Sequence, residues 1–204
     1  MSFTKNAWEI FNQSVEDYHI KDNVDSKEKN PFPSDSLDWL LYSKNWIDTV
    51  QWHLEDIIRK EDINPSEALK IKRRIDNLNQ KRTDLVEQID FWFYKKFEKV
   101  FPHSYVRLNT ETPAWAIDRF SILALKIYHM SIEAVRKDAS EEHKQNCSQK
   151  LKILLDQKKD LSIAIDRLLT DIGNGNVRMR LYRQMKMYND ENLNPILYQK
   201  TQKK

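Results

Sequence analysis

Apolar residues recur along this chain at three- and four-residue steps in five long stretches, the spacing of amphipathic helices. Trp8, Phe11, Val15 and Tyr18 mark a first helix over roughly residues 3 to 20. The polar stretch 21–34, with Pro31 and Pro33, reads as an exposed linker to a second helix that starts near residue 35. Asn64-Pro65 ends that helix and opens a third, from about 65 to 97, with Asn as cap and Pro at the first position. Its apolar side carries Ile71, Ile75, Leu78, Leu85, Ile89 and Phe93. Nothing is periodic from Glu98 to Thr112. Thr112-Pro113 then opens a fourth helix, PAWAIDRFSILALKIYHMSIEAVR, which is apolar nearly all round and so is expected to be central. Cys147, Leu151, Leu154, Leu161, Ile165, Leu168 and Ile172 give a heptad-spaced fifth helix, interrupted by Lys158 and stopped by Gly173 and Gly175. A short sixth helix is expected around Arg178 to Tyr188, before a C-terminal loop and tail over 189–204.

These elements predict an all-α fold over residues 1–204: a single-domain bundle of four to five long, largely antiparallel helices with short peripheral ones, its core built by the second to fifth. Only two glycines occur in 204 residues, so hairpins and tight strand connections have almost nothing to supply a positive φ. A formal charge of +3 from 34 basic and 31 acidic residues is too balanced for a nucleic-acid binder. The basic TQKK terminus reads as solvated. One cysteine cannot make an intramolecular disulfide, MSFTKNAWEIF lacks the form of a signal peptide, and no apolar run is long enough for a membrane span. A cytoplasmic protein is the expectation.

Candidate chemistry lies on polar stripes that stand apart from the solvent faces. On a helical wheel at about 100° per residue, Gln51, Glu55, Asp48 and Arg59 of the second helix face water, while His53 and Asp56 sit on the flank of the apolar seam. The third helix repeats the division. Arg73, Asp84, Gln88 and Lys95 form its solvent face, and Asp76, Asn79, Thr83, Glu87 and Asp90 form another polar stripe. Arg82 lies at the centre of its apolar face, where a guanidinium needs carboxylate partners to offset desolvation. On the fourth helix Asp118 and His129 share a face, with Arg119 and Lys126 beside it. The spacing His53-x-x-Asp56 followed by Glu87-x-x-Asp90 would bring four ligands around one or two divalent cations if the two helices present these pairs to each other. The expectation is that they do, with Arg82 between them.

The segments KNWIDTVQWHLEDIIR, KRRIDNLNQKRTDLVEQID, LNTETPAWAIDRFSILALKIYHM and YRQMKMYNDENLNPILY resemble those of the bacterial domain-of-unknown-function family 4254 over nearly the whole chain, which implies that they belong to one domain. NQKRTDLVEQIDF, from Asn79 to Phe91, is also similar to the helix of all-α nucleoside triphosphate pyrophosphatases, including the dimeric dUTPase type, that carries an E-x-x-D metal pair. That likeness implies a Mg²⁺ or Mn²⁺ site at Glu87 and Asp90 with Asn79 near the nucleotide. His53-x-x-Asp56 departs from the E-x-x-E of those enzymes, and its imidazole suits Mn²⁺, Fe²⁺ or Zn²⁺ better than Mg²⁺.

Three functions are compatible with these residues. In the first, the chain is an interaction domain whose polar flanks set helix register and whose exposed aromatics bind a protein partner or a second copy of the chain. The second is a ligand-binding domain that takes a phosphate-containing small molecule in a polar interhelical cleft, using His53, Arg82, Asp118, Arg119, Lys126 and His129. The third is a metal-dependent hydrolase of nucleotides or nucleotide sugars, with His53, Asp56, Glu87 and Asp90 on the metal.

Overall fold

The computed structural model describes residues 2–187 and 190–201, and it is all-α: α1 (Phe3–His19), α2 (Leu37–Ile57), α3 (Pro65–Lys96), α4 (Pro113–Ala134), α5 (Glu141–Gly173) and α6 (Pro195–Thr201). Each long helix starts on a side chain that accepts a backbone N–H of its first turn: Ser2, Ser36, Asn64, Thr112 and Ser140. Pro65 and Pro113 follow the Asn64 and Thr112 caps, as the two dipeptides predict. Among the described residues no helix is long and apolar enough to cross a membrane.

One hydrophobic cluster ties the helices together. α4 is its axis: it packs on α1, α2, α3 and α5, and Ala114, Ile117, Phe120, Ala124 and Leu125 are almost wholly buried. The assignment of the core to the second to fifth helices needs correction. α1 buries Ala7, Ile10, Phe11, Val15 and Tyr18, with Phe11 and Trp8 against Phe120 at ring-centroid distances of 6.2 and 5.0 Å. α5 is the more peripheral helix, burying only Cys147, Ile165, Leu168 and Ile172, while Ile153 and Ile163 are exposed. Its polar interruption has a seat, because the Lys158 ammonium lies 3.9 Å from the centre of the Trp8 ring, a cation–π contact.

The connection between α1 and α2 alternates. Val24 and Phe32 turn inward onto the core, and Asn30 donates to the Trp39 carbonyl and to Ser43, so every other residue fastens a segment whose remaining positions face water.

The expected helix around Arg178 to Tyr188 does not form over 178–187, and Tyr188 lies outside the described residues. The chain there is an extended strap. Val177 and Met179 point inward and Arg178 and Arg180 outward, a period of two that outweighs the weak helical spacing. The strap crosses the third helix's second polar stripe: Lys186 Nζ donates to Thr83 Oγ1 (2.6 Å) and the Asn79 carbonyl (3.0 Å), and Gln184 N–H donates to Glu87 Oε1. Short helix α6 arises instead from Asn194-Pro195, inside the segment expected to be loop. Asn189 and three of the four TQKK residues fall outside the described residues.

The strap begins at a turn that only glycine fits. Gly175 has φ +74°, and a Cβ there would stand 2.9 Å from the Phe101 carbonyl oxygen. This close approach holds 98–112 beside the strap, where His103 N–H donates to the Gly175 carbonyl and Arg107 bridges to Val177.

Candidate functional site

The first half of α2 is buried on nearly every side, including the polar residues Ser43, Lys44, Asn45, Asp48 and Thr49. Lys44 is completely buried. Its ammonium donates to Asp48 Oδ2 at 2.5 Å and to the Asp118 carbonyl at 3.1 Å, and it lies 2.8 Å from Asp118 Oδ1. Arg82 of α3 closes the ring with two parallel bonds to Asp118, Nε to Oδ1 at 2.9 Å and Nη2 to Oδ2 at 2.5 Å, and approaches Asp48 Oδ1 to 3.3 Å. Ser121 Oγ donates to Asp48 and accepts from Asn45 Nδ2. Two cations and two carboxylates thus make a neutral tetrad across α2, α3 and α4. Arg82 has the carboxylate partners its apolar setting demands, supplied by Asp118 and Asp48.

The two carboxylates respond oppositely. For both, burial opposes ionisation most strongly. At Asp118 the charge of Lys44 and the bonds and charge of Arg82 outweigh it and hold the acid below its ordinary range, whereas at Asp48 burial prevails and the acid is pushed up.

Outside this tetrad α4 presents Arg119, which with Asp118 belongs to the walls of two adjoining cavities, of about 410 and 670 Å³. The larger runs between α3, α4 and α5 past Arg82 and Lys126. The smaller lies under the strap. Its floor is a small apolar cluster of Leu168, Ile172, Val177 and Met179, and its rim carries Trp115, Arg178, Arg180 and Tyr182. Arg119 is already paired with Glu111 at 2.8 Å. Arg178 and Arg180 are not: among the described residues no carboxylate lies within ion-pair distance of either, and Arg180 meets only the Tyr182 hydroxyl, at 3.2 Å. An apolar floor with a few convergent polar groups is the usual form of a small-molecule site.

The model of the family described as "Protein of unknown function (DUF4254)" matches residues 38–181. The chain belongs to this family. All four residues of the tetrad and the cleft arginines Arg119, Arg178 and Arg180 fall inside the span shared with DUF4254, while α1 precedes it. No curated protein and no solved structure matches the chain, and the resemblance to nucleoside triphosphate pyrophosphatases gains no support.

The four residues expected around a metal are dispersed. His53 turns away from α3 and meets His19 of α1 and His129 of α4, its Nε2 3.2 Å from that of His19. Asp56 is exposed at the end of α2, so neither member of the pair meets Glu87 or Asp90, and the expected facing of the two pairs is corrected. Glu87 receives the strap's Gln184 N–H. Asp90 is buried and accepts the Ala114 N–H at 3.0 Å, which makes it part of the start of α4. Among the described residues, the only three or more His, Cys, Asp or Glu side chains with converging ligand atoms are His19, His53 and His129. Asn79 contributes its carbonyl to Lys186, and His129 stands with the histidines instead of sharing a cleft with Asp118.

Lys44 and Asp48 were the residues missed, and Asp48 is corrected from the solvent face to the interior. A wheel centred on Ile47, Val50, Leu54 and Ile57 directs Asp48 outward, but the partners that draw the pair inward, Ser121 for Asp48 and Asp118 for Lys44, are 73 and 74 positions away, where no local pattern shows them. His19 closes α1 and belongs to no polar stripe. The one available signal was its place at a helix C-terminus, where imidazoles are common.

Two consequences are measurable. Because Asp56 is exposed, Asp56→Ala should change the unfolding free energy by no more than about 0.5 kcal/mol; a loss above about 2 kcal/mol in urea denaturation would contradict its placement. Asp90 is different: burial, reinforced by Glu87, raises its pKa to about 6 despite the bonds from Thr112 and Ala114. The folded state therefore holds this proton to higher pH than the unfolded chain, and stability is expected to rise as pH falls from 7 through 6, by about 1 kcal/mol at pH 5 from this group. Comparing the pH slopes of wild type and Asp90→Asn isolates the contribution. Identical slopes would show that Asp90 ionises in the fold as it does in water.

Proposed function

We propose that the domain binds a phosphate-bearing small molecule with an aromatic or apolar moiety in the cleft beneath the strap. The observation that carries this reading is the pair Arg178 and Arg180, cations without a carboxylate partner among the described residues, set over an apolar floor beside Trp115 and Tyr182. Guanidinium groups hold phosphate oxygens through paired N–H donors, and the aromatic rims and Val177–Met179 floor suit the remainder of a nucleotide-like ligand. The tetrad supports the cleft from behind: Asp118 is pinned by Lys44 and Arg82, so the neighbouring Arg119 projects from a rigid turn of α4. The single, buried, free cysteine suits the reducing interior of a bacterial cytoplasm, where we place the protein.

Calorimetric titration with nucleoside mono-, di- and triphosphates and sugar phosphates, in chelator and at constant ionic strength, tests the reading. Saturable binding is expected, weakened at least about tenfold in the Arg178→Ala/Arg180→Ala double variant, since one charged hydrogen bond contributes about 1.5–3 kcal/mol. No binding by any of these compounds, or binding equal in the double variant, overturns it.

A further inference from the structure

Three histidines from three helices meet, none of them lining the cavity under the strap: His19 at the end of α1, His53 in α2 and His129 in α4. One ligand nitrogen from each lies within 4.8 Å of the other two. The rings are held in place by aromatic neighbours. Tyr18 stacks on His53 (5.1 Å, 13°), Trp52 on His129 (5.0 Å, 6°), and Tyr128 lies 4.4 Å from His19.

The hydrogen bonds leave ligand atoms free. His19 Nδ1 lies 2.6 Å from the Val15 carbonyl, which makes Nδ1 the donor and leaves the lone pair on Nε2, directed at His53. An imidazole fixed by its second nitrogen on a backbone carbonyl is the usual support of a metal-bound histidine. His129 Nε2 is buried with no hydrogen-bond partner, and a bare buried nitrogen costs free energy unless something binds it. The Asp22 carboxylate, exposed and 3.8 Å from His53 Nε2, stands at the open side.

We propose that His19, His53 and His129 form a binding site for a borderline first-row divalent cation, Zn²⁺ foremost, with water beside Asp22 in the fourth position. Three imidazole nitrogens suit Zn²⁺, Co²⁺, Ni²⁺ or Cu²⁺ and not the hard ions Mg²⁺ and Ca²⁺, which take oxygen ligands. Zinc–nitrogen bonds of about 2.0–2.1 Å set tetrahedral ligand atoms about 3.3 Å apart. The His19–His53 separation of 3.2 Å already meets this, and small ring rotations close the wider gaps. The site pins the end of α1 to α2 and α4, and because α1 lies outside the span matched by DUF4254, His19 makes it a feature of this chain beyond that span.

The test uses the full-length protein stripped with chelator and titrated with Zn²⁺ by calorimetry, and with Co²⁺ as a spectroscopic probe. One equivalent of metal is expected, Co²⁺ giving the intense visible bands of a four- or five-coordinate nitrogen site. His53→Ala and His129→Ala should each weaken Zn²⁺ by at least about 100-fold, the upper end of what losing a supporting contact costs. Circular dichroism checks that both fold, and His19→Gln, which keeps much of the side-chain bulk against Tyr128, supplies a third variant expected to weaken Zn²⁺ in the same way. His143→Ala removes the nearby His143–Cys147–Glu133 contacts and should leave binding unchanged. Absence of binding, binding that survives loss of His53 and His129, or binding abolished by His143→Ala would each overturn the proposal. The cleft titration is run in chelator, so either result stands without the other.

Discussion

Lys44→Met is expected to lower the unfolding free energy by about 3–5 kcal/mol, the cost of leaving a buried carboxylate without its cation. The side chain is wholly buried and touches both Asp48 and Asp118, and methionine keeps most of its length while removing the charge. Arg82 then remains alone against two carboxylates. Its own pKa is raised in the fold: burial opposes its charge, but the Asp118 bond and the charges of Asp48 and Asp118 win, so it stays ionised and committed to Asp118. Urea denaturation measures the loss. Removing the opposing charge as well, in Lys44→Met/Asp48→Leu, should recover much of it, because a buried ion pair replaced by apolar groups is often near neutral. A single variant within about 1 kcal/mol of wild type would show that the four groups do not depend on one another.

Phe11→Ala has an expected cost of similar size, about 3–5 kcal/mol, as for other fully buried aromatics reduced to alanine. Phe11 is completely buried on α1 and meets Phe120, itself completely buried on α4. Were α1 a peripheral arm, as a core made only of the second to fifth helices implies, the ring would be partly solvated and the loss would stay near 1 kcal/mol. Thermal and urea unfolding should agree on the larger figure, with α1 melting together with the rest.

Helix positions were legible because their signals are local. Asn64-Pro65 and Thr112-Pro113 act within one turn, and the apolar spacing of α3 and α5 sets which face turns inward. Arg82 was legible for a related reason: a guanidinium centred on an apolar face must have partners, although nothing nearby in sequence says which. The tetrad as a whole was not. Lys44 and Asp48 look like an ordinary solvated i, i+4 pair until α4 is laid over them, and hydropathy cannot distinguish a wet ion pair from one sealed by a helix 70 residues later. The second polar stripe of α3 misled for the same reason. Glu87 and Asp90 match metal-ligand spacing, but the chain's own strap and the start of α4 occupy this stripe at Asn79, Thr83, Glu87 and Asp90. The strap was missed because alternation over so few residues, Val177 to Arg180, competes with a helical reading of the same side chains, and only Gly175 shows where the chain must turn.

A map of where a phosphate ligand acts tests the cleft beneath the strap most directly. ¹⁵N-resolved NMR spectra of the full chain, titrated with a nucleoside diphosphate in chelator, follow backbone amides, the Trp115 indole and the arginine side chains together. Saturable shifts are expected, confined to Thr112 through Arg119 and Val177 through Tyr182, with the Arg178 and Arg180 side chains moving most and the histidines of α1, α2 and α4 unaffected. Shifts scattered over the lysines of α5, or none at all near Arg178 and Arg180, would contradict binding in the cleft.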